Sequence, residues 1–235
     1  MLTNTQFSPS RLAAVHDRIE SAVLAAGRPA GSVTLIGVTK TQPSGVVEAA
    51  IQAGLLQLGE NYLQEALPKM ALLEPYRERV TWHYIGLLQS NKTRPVAEQF
   101  DWVHTVDRLK VAERLSAQRS FHGPPLNVCL QIRLGDEPTK GGLPPSEALP
   151  LAQAVAALPR LRLRGLMCIP PESTDVDVQR RHFATLRQVL ERLNADGMAL
   201  DTLSMGMSGD LEAAIMEGAT HVRIGTAVFG ERTTT

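Results

Sequence analysis

Lys40 is the residue best placed to do chemistry, because it ends the apolar run VTLIGVTK (33–40). A charge at the end of a buried strand is costly unless it is paired, exposed or chemically used. Strand residues two apart share a face, so Lys40 would point to the same side as Ile36 and Val38. A lysine desolvated in a pocket loses proton affinity, and its free amine can attack an aldehyde to form a Schiff base. The alternative is a strand-end lysine whose head reaches solvent.

Small and polar residues cluster in two later segments, TLSMGMS (202–208) and HVRIGTAVFG (221–230). Ser208 ends the first segment, and Gly225 and Thr226 lie in the second. They predict a phosphate site if these segments are the last two strands of an α/β barrel. The alternative is a helix cap at Ser208 and a glycine kept for packing. An amine and a phosphate site in one lumen indicate a phosphorylated aldehyde, and pyridoxal 5'-phosphate (PLP) is the obvious candidate.

The elements that must position these residues alternate between strand-like and helix-like patterns. Eight strands are predicted at 33–40, 56–61, 81–86, 101–107, 127–133, 162–170, 202–208 and 221–230. The alternation implies a parallel sheet, either doubly wound and open or closed as a (β/α)8 barrel. The count of eight favours the TIM-type barrel, with an extra N-terminal helix over its bottom. We expect residues 1–235 to form one domain, with Lys40 at the mouth where barrels carry functional groups.

The same alternation places further polar groups in the lumen. Asn61 shares a face with Gly59, and Arg223 shares a face with Gly225. In TLSMGMS the bulky face, which includes Met207, is predicted to meet the helix layer. Barrel interiors are normally filled by branched residues, so small and polar positions near the top predict a pocket. His83 either lines this pocket or is a satisfied core histidine.

Composition excludes several classes of protein. Lys plus Arg and Asp plus Glu both number 24, which gives no indication of nucleic acid or an anionic membrane as partner. No apolar run approaches transmembrane length. The two cysteines, Cys129 and Cys168, lie in apolar runs and fit a reducing cytoplasm. The histidines show no HxH or HExxH spacing, so we expect no metal site.

Six blocks in order resemble the pyridoxal phosphate homeostasis proteins: IGVTKTQP, GENYLQEA, WHYIGLLQSNK, RGLMCIP, LSMGMSGDLEAAI and VRIGTAVFG. The resemblance implies the barrel of the N-terminal domain of alanine racemases, with PLP as an internal aldimine on Lys40. It also implies the remaining contacts: Asn61 beside the ring, Met167 packed near the cofactor, Arg223 facing the pyridine nitrogen, and Ser208, Gly225 and Thr226 on the phosphate.

Two positions depart from the family pattern. Many relatives carry a second lysine two positions after the Schiff-base lysine, where this chain has Gln42. Lys140, in GDEPTKGG, stands where relatives often read a lysine before a serine and a glycine. A lysine in such a loop could capture cofactor transiently, or it is simply a solvated loop lysine. The role of the loop from Gln89 to Lys92 does not follow from the sequence.

Two functions of different classes are compatible with this pattern. In the first, the protein binds PLP, buffers it and hands it to PLP-dependent apoenzymes without turning over a substrate. In the second, it is a small PLP-dependent amino-acid racemase. Alanine racemases take a second acid/base group and their dimer contacts from a further β-rich domain, for which this sequence has no counterpart. We therefore expect a monomeric cytoplasmic carrier, with no catalytic residues assigned.

Overall fold

Eight short parallel strands form the centre of the fold. In the computed structural model, which describes residues 7–135 and 141–230, they are β1 Thr34–Val38, β2 Gln57–Glu60, β3 Thr81–Tyr84, β4 Trp102–Val106, β5 Leu126–Gln131, β6 Leu161–Met167, β7 Thr202–Ser204 and β8 His221–Ile224. Each strand pairs with the next, and β8 pairs with β1 to close the ring. Closure leaves no unpaired strand edge. The predicted barrel is confirmed, and the open doubly wound sheet is excluded.

Helices alternate with the strands and cover the outside of the barrel. They are α1 Pro9–Ala25, α2 Ser44–Gln52, α3 Leu63–Leu72, α4 Thr93–Gln99, α5 Leu109–Gln118, α6 Ala148–Ala156, α7 Val176–Ala195, α8 Leu211–Met216 and α9 Thr226–Phe229. Strands enclosed by such a layer are buried on both faces, and β4 accordingly has every residue buried. None of the helices in the described part of the chain is long and apolar enough to cross a membrane.

The N-terminal helix α1 packs alongside α8 and α9, so its expected position over the bottom of the barrel is wrong. Arg18 on α1 forms a salt bridge with Glu212 on α8 at 2.8 Å. Where the chain enters α1, the ring centroids of Phe7 and Phe229 lie 6.2 Å apart. Because α9 has only 4 residues, α1 supplies apolar cover that so short a helix cannot give.

The last two strands end earlier than predicted, and this shapes the mouth of the barrel. The seventh strand stops at Ser204, and Gly206 has a φ of +96°, which takes the chain out of the extended conformation. After β8, Gly225 leads directly into α9. The predicted alternation therefore fails beyond Ser204, and Met207 lines the cavity described below instead of facing the helices.

Candidate functional site

Six of the seven predicted site residues line one cavity at the C-terminal mouth of the barrel. Its volume is about 290 Å³. The six are Lys40, Asn61, Ser208, Arg223, Gly225 and Thr226, and the cavity is completed by Val38, Gln42, Ile85, Ile169, Met207, Gly209 and Gly230. Two cationic side chains thus meet amide and hydroxyl groups. No carboxylate is present among the described residues that line the cavity.

Lys40 lies two residues beyond β1, in a turn whose backbone is held on both sides. The buried hydroxyl of Thr39 donates to Glu60 Oε1 at 2.7 Å. Thr41 has a φ of +64°, which is uncommon outside glycine, and its N–H donates to Glu65 Oε2 at 2.8 Å. Because neither glutamate lines the cavity, the residues on both sides of Lys40 are held by groups outside it.

A buried ion pair supports this turn from behind. Lys69 on α3 is 6% exposed, and its Nζ donates to Glu60 Oε1 and to the Thr39 carbonyl oxygen, both at 2.6 Å. Burial raises the pKa of Glu60, and the charge and hydrogen bond of Lys69 offset part of that rise. Glu60 Oε2 has no hydrogen-bond partner among the described residues. The carboxylate therefore depends on Lys69 and on the Thr39 hydroxyl.

Asn61 follows β2 and brings an unsatisfied polar atom to the cavity. Its Oδ1 is buried and has no hydrogen-bond partner within the described part of the chain. A buried acceptor left without a partner costs about 1–3 kcal/mol. Rotating the amide by half a turn places its NH2 group at the same point. Such a group fits a site in which a bound molecule completes the hydrogen bond.

Arg223 on β8 is a buried cation whose protein partners are neutral. It is 4% exposed, and it donates to Ser204 Oγ and to the Cys168 carbonyl oxygen, each at 2.9 Å. Burial lowers the pKa of its guanidinium. A guanidinium has five N–H donors, and these two bonds use two of them. A buried positive charge held this way favours an electron-rich ring atom or an anion beside it.

Ser208, Gly209, Gly225 and Thr226 make up the small-residue part of the lining. A Cβ on Gly209 would meet nothing within 4 Å, and one on Gly225 would make only ordinary contact with Val38 at 3.5 Å. Neither glycine has a positive φ, so the chain's own geometry does not demand glycine there. Thr226 begins α9, whose first N–H groups have no acceptor within the helix. Open space beside such N–H groups fits a phosphate.

The side chain of Ser208 does not cap α8. The alternative reading of the sequence, a helix cap at Ser208, is therefore wrong. Asp210 is the residue before α8, and its Oδ1 accepts from the Met207 N–H at 2.5 Å. Ser208 is therefore left to the cavity.

Three comparisons place the chain among known proteins. Residues 11–233 match the family described as the alanine racemase N-terminal domain. The chain is 56% identical over 221 residues to the pyridoxal phosphate homeostasis protein of Pseudomonas aeruginosa, covering 94% of each. This chain belongs to the pyridoxal phosphate homeostasis protein family. The family member of Escherichia coli K12 is 50% identical over 226 residues, which cover 94% of this chain and 95% of that protein.

Solved structures are also similar to this chain. PipY of Synechococcus elongatus PCC7942 with PLP bound is 36% identical, with a TM-score of 0.80 over 90% of this chain and 100% of that chain. Alanine racemase from Corynebacterium glutamicum is 15% identical, with a TM-score of 0.71 over 98% of this chain and 63% of the enzyme chain. At that identity the second likeness shows a common fold and nothing further.

Met167, the seventh residue that the family resemblance pointed to, does not line the cavity. It is fully buried in a cluster with Trp102 and Cys129 inside the barrel. Ile169 packs against this cluster and does line the cavity. Because β6 ends at Met167, the residues beyond that end are the ones that reach the mouth.

The structure describes one of the two positions at which this chain departs from the family pattern. Gln42 lines the cavity, so an amide stands where many relatives carry an amine. Lys140 lies outside the described residues.

His83 is a core residue and is not part of the cavity. It is fully buried and hydrogen-bonded to His104 and Gln57. Within residues 7–135 and 141–230, no group of three or more His, Cys, Asp or Glu is arranged to hold a metal ion.

The sequence analysis missed Glu60 and Lys69. A signal for them existed, because Glu60 stands in an apolar strand and Lys69 lies between the buried positions Ala66 and Met70 of α3. Two opposite charges on buried faces of consecutive elements predict an ion pair, since a buried charge is costly unless it is paired.

Proposed function

We propose that this chain binds PLP, holds it as a Schiff base on Lys40, and serves PLP homeostasis by buffering the cofactor. The observation that carries the proposal is the cavity, where a primary amine, a buried guanidinium with neutral partners and a small-residue opening line one space. The names of the curated relatives and the PLP-bound PipY structure support the same cofactor.

Each lining group has a role toward PLP that its environment suits. The Lys40 amine would attack the aldehyde carbon, forming a C=N bond with loss of water. Arg223 would face the pyridine nitrogen as a donor, and Asn61 would complete its open hydrogen bond beside the ring. Ser208, Gly225 and Thr226 would surround the phosphate. When bound, PLP supplies an aldehyde that exchanges between amines and a ring that acts as an electron sink.

The lining favours a carrier over a racemase. Racemization by two bases needs an acid/base group on each side of the substrate carbon. Among the described lining residues, Lys40 is the one side chain with an acid/base group that both gains and loses a proton, since Arg223 does not deprotonate in proteins. Tyr62 is 52% exposed and lies in a neighbouring depression. Arg223 also leaves the ring a weaker electron sink than an aspartate would, because it cannot protonate the nitrogen fully.

The cellular setting is part of the proposal. We propose a monomer acting in the cytoplasm, which hands PLP to apoenzymes that need it. The two free buried cysteines, Cys129 and Cys168, support a reducing compartment.

Optical titration tests the binding site. Purified chain titrated with PLP should develop the absorbance of a protonated imine, and borohydride reduction should fix the label on the peptide that contains Lys40. Lys40→Ala should lose both signals. The control is Lys110→Ala, since Lys110 is an exposed lysine on α5 that should label no differently from wild type. Label on a lysine other than Lys40 would refute the site.

Two further assays separate the functional classes. Amino-acid racemization at ordinary enzyme rates that is lost in Lys40→Ala would refute the carrier function in favour of the racemase. Delivery is tested by mixing loaded protein with an apoenzyme and a scavenger of free PLP. Activation despite the scavenger supports direct transfer, whereas its absence removes delivery and leaves buffering.

A further inference from the structure

A row of hydrogen-bonded polar side chains runs through the interior of the barrel to Arg223. Gln57 Oε1 lies 2.8 Å from His83 Nε2, and His83 Nδ1 lies 2.9 Å from His104 Nε2. His104 Nδ1 lies 2.8 Å from Ser204 Oγ, which accepts from Arg223 Nη1 at 2.9 Å. We call the four residues that lead to Arg223, namely Gln57, His83, His104 and Ser204, the interior row. The last three of them are fully buried, at a depth where barrels normally pack branched apolar side chains.

The direction of every bond in the interior row follows from its Arg223 end. A guanidinium only donates, so Ser204 Oγ accepts from Arg223. Because His104 Nδ1 is the only other hydrogen-bond partner of Ser204 Oγ among the described residues, the buried hydroxyl proton is donated to His104 Nδ1. His104 then carries its proton on Nε2 and donates it to His83 Nδ1. His83 in turn carries its proton on Nε2 and donates to Gln57 Oε1. All four bonds are made with both imidazoles neutral and in the same tautomer.

The surroundings of the row keep its imidazoles neutral. Burial lowers the pKa of His83 and His104 well below the usual histidine value, and neighbouring His221 acts in the same direction on both. His104 also feels the charge of Arg223. A second positive charge inside the ring would oppose Arg223 with little water to screen it. Neutral residues accept a hydrogen bond from the guanidinium and leave its positive charge uncompensated. A carboxylate in place of Ser204 would accept the same bond but would cancel that charge.

We propose that the interior row is a positioning network for Arg223, which holds the guanidinium beneath the cofactor and keeps its positive charge available to the ring nitrogen. The inference rests on the proposed function, because it assigns Arg223 to PLP. Ser204, His104 and His83 act through Arg223 and do not touch the cavity. The barrel interior thus contributes to cofactor binding as well as to the core.

The first test needs no cofactor. Nitrogen-15 NMR of the imidazoles at neutral pH should show His83 and His104 as neutral Nε2–H tautomers. Because direction is set at the Arg223 end, Ser204→Ala should release both histidines into mixed tautomers, whereas Gln57→Met should leave both unchanged. The inference is overturned if either histidine is an imidazolium or an Nδ1–H tautomer in the wild type, or if the two variants behave alike.

The second test measures the effect on PLP. Ser204→Ala should weaken PLP binding about ten-fold, since a buried charged donor loses its acceptor, and should shift the absorbance maximum of the bound cofactor. The matched control is Thr202→Val, because Thr202 is a buried hydroxyl on the same strand that bonds Asp201 and not the row. It should keep wild-type affinity and spectrum. Unchanged binding in Ser204→Ala would overturn the inference.

The two tests also separate the inference from the proposed function. A wild-type chain that binds no PLP refutes the proposed function, and the NMR result then still reports whether the row exists. A wild type that binds PLP while Ser204→Ala binds it equally well refutes the inference alone. If Ser204→Ala does not fold, Ser204→Cys is measured in its place, and its weaker sulfur hydrogen bonds should shift both readouts in the same direction.

Discussion

Replacing Lys69 with methionine is expected to lower the free energy of unfolding by about 3–5 kcal/mol at neutral pH. In the native chain, Lys69 Nζ reaches Glu60 Oε1 and the Thr39 carbonyl oxygen at 2.6 Å each. The variant would leave the fully buried Glu60 carboxylate with the Thr39 hydroxyl at 2.7 Å, because Glu60 Oε2 already lacks a partner. The loss is about a fifth or more of the stability of an ordinary domain, which is about 5–15 kcal/mol.

Removing both charges separates the cost of an orphaned charge from the cost of altered packing. The double variant Lys69→Met with Glu60→Leu should have a free energy of unfolding within about 2 kcal/mol of the wild-type value, because no buried charge of the pair remains and the ion pair itself adds little net stability. Lys110→Met is the surface control, and its effect should stay below about 0.5 kcal/mol. The double variant should still bind PLP more weakly, because Thr39 loses both side-chain partners beside Lys40.

The pH dependence gives an independent check of the cause. Burial already raises the pKa of Glu60 above its unfolded value, so the folded state holds that proton more tightly. Removing Lys69 deletes two effects that lower this pKa, and the folded pKa should rise further. The difference in stability between wild type and Lys69→Met should be full above the folded pKa of Glu60 in the variant and should shrink as pH falls toward the lower folded pKa of Glu60 in the wild type, because the unfolded pKa is common to both.

Urea denaturation followed by both circular dichroism and tryptophan fluorescence measures these differences. A single variant no less stable than the double variant would refute the reasoning, since it would show that Glu60 does not depend on Lys69. A stability difference that does not change with pH would refute it as well.

Three other outcomes follow from the structure. Cys129 and Cys168 should resist a thiol reagent at mildly alkaline pH until the chain unfolds, because burial raises both thiol pKa values, that of Cys168 to about 12, and a titration in denaturant gives the contrast. Stability should fall as pH drops below about 6.5, by up to about 1.4 kcal/mol per unit for each buried histidine, because the unfolded chain binds protons that the folded one refuses; NMR should show the pKa of His221 at about 4. Gly165→Ala should destabilise severely or prevent folding, because its Cβ would collide with the Thr202 carbonyl oxygen of β7, and a thermal melt measures it.

The sequence was sufficient for the architecture because strands and helices leave periodic patterns. Eight alternating apolar runs predicted the closed barrel, and the strand-end position of Lys40 predicted the mouth at which it lies. The pattern was insufficient at Gly206, where a positive φ ends the extended chain. It was insufficient again at Thr226, where a helix begins inside an apolar run that reads as strand. Alternation assigns faces only as far as the strand continues, which is why Met207 was assigned to the wrong side.

Contacts between distant elements were beyond the reach of the pattern. His83 and His104 lie 21 positions apart, and Ser204 lies 100 positions from His104, yet they form consecutive hydrogen bonds. Which side chains meet inside a closed barrel depends on its register and tilt, and these follow from closure and not from any one strand. Single-strand reasoning could therefore leave His83 only as a pocket residue or a core histidine, and could not say what it touches.

The two cations of the cavity are each supported by a separate set of residues outside it. Glu60 and Lys69 fix the turn behind Lys40. The interior row supplies a neutral hydrogen-bond acceptor below Arg223. Because Glu60 Oε1 is occupied by Lys69 and the interior row carries no charge, neither set places an anion in the cavity that would compete with a phosphate or a ring nitrogen. Substitutions in either set, at residues that do not line the cavity, should therefore alter cofactor binding while every lining residue keeps its identity.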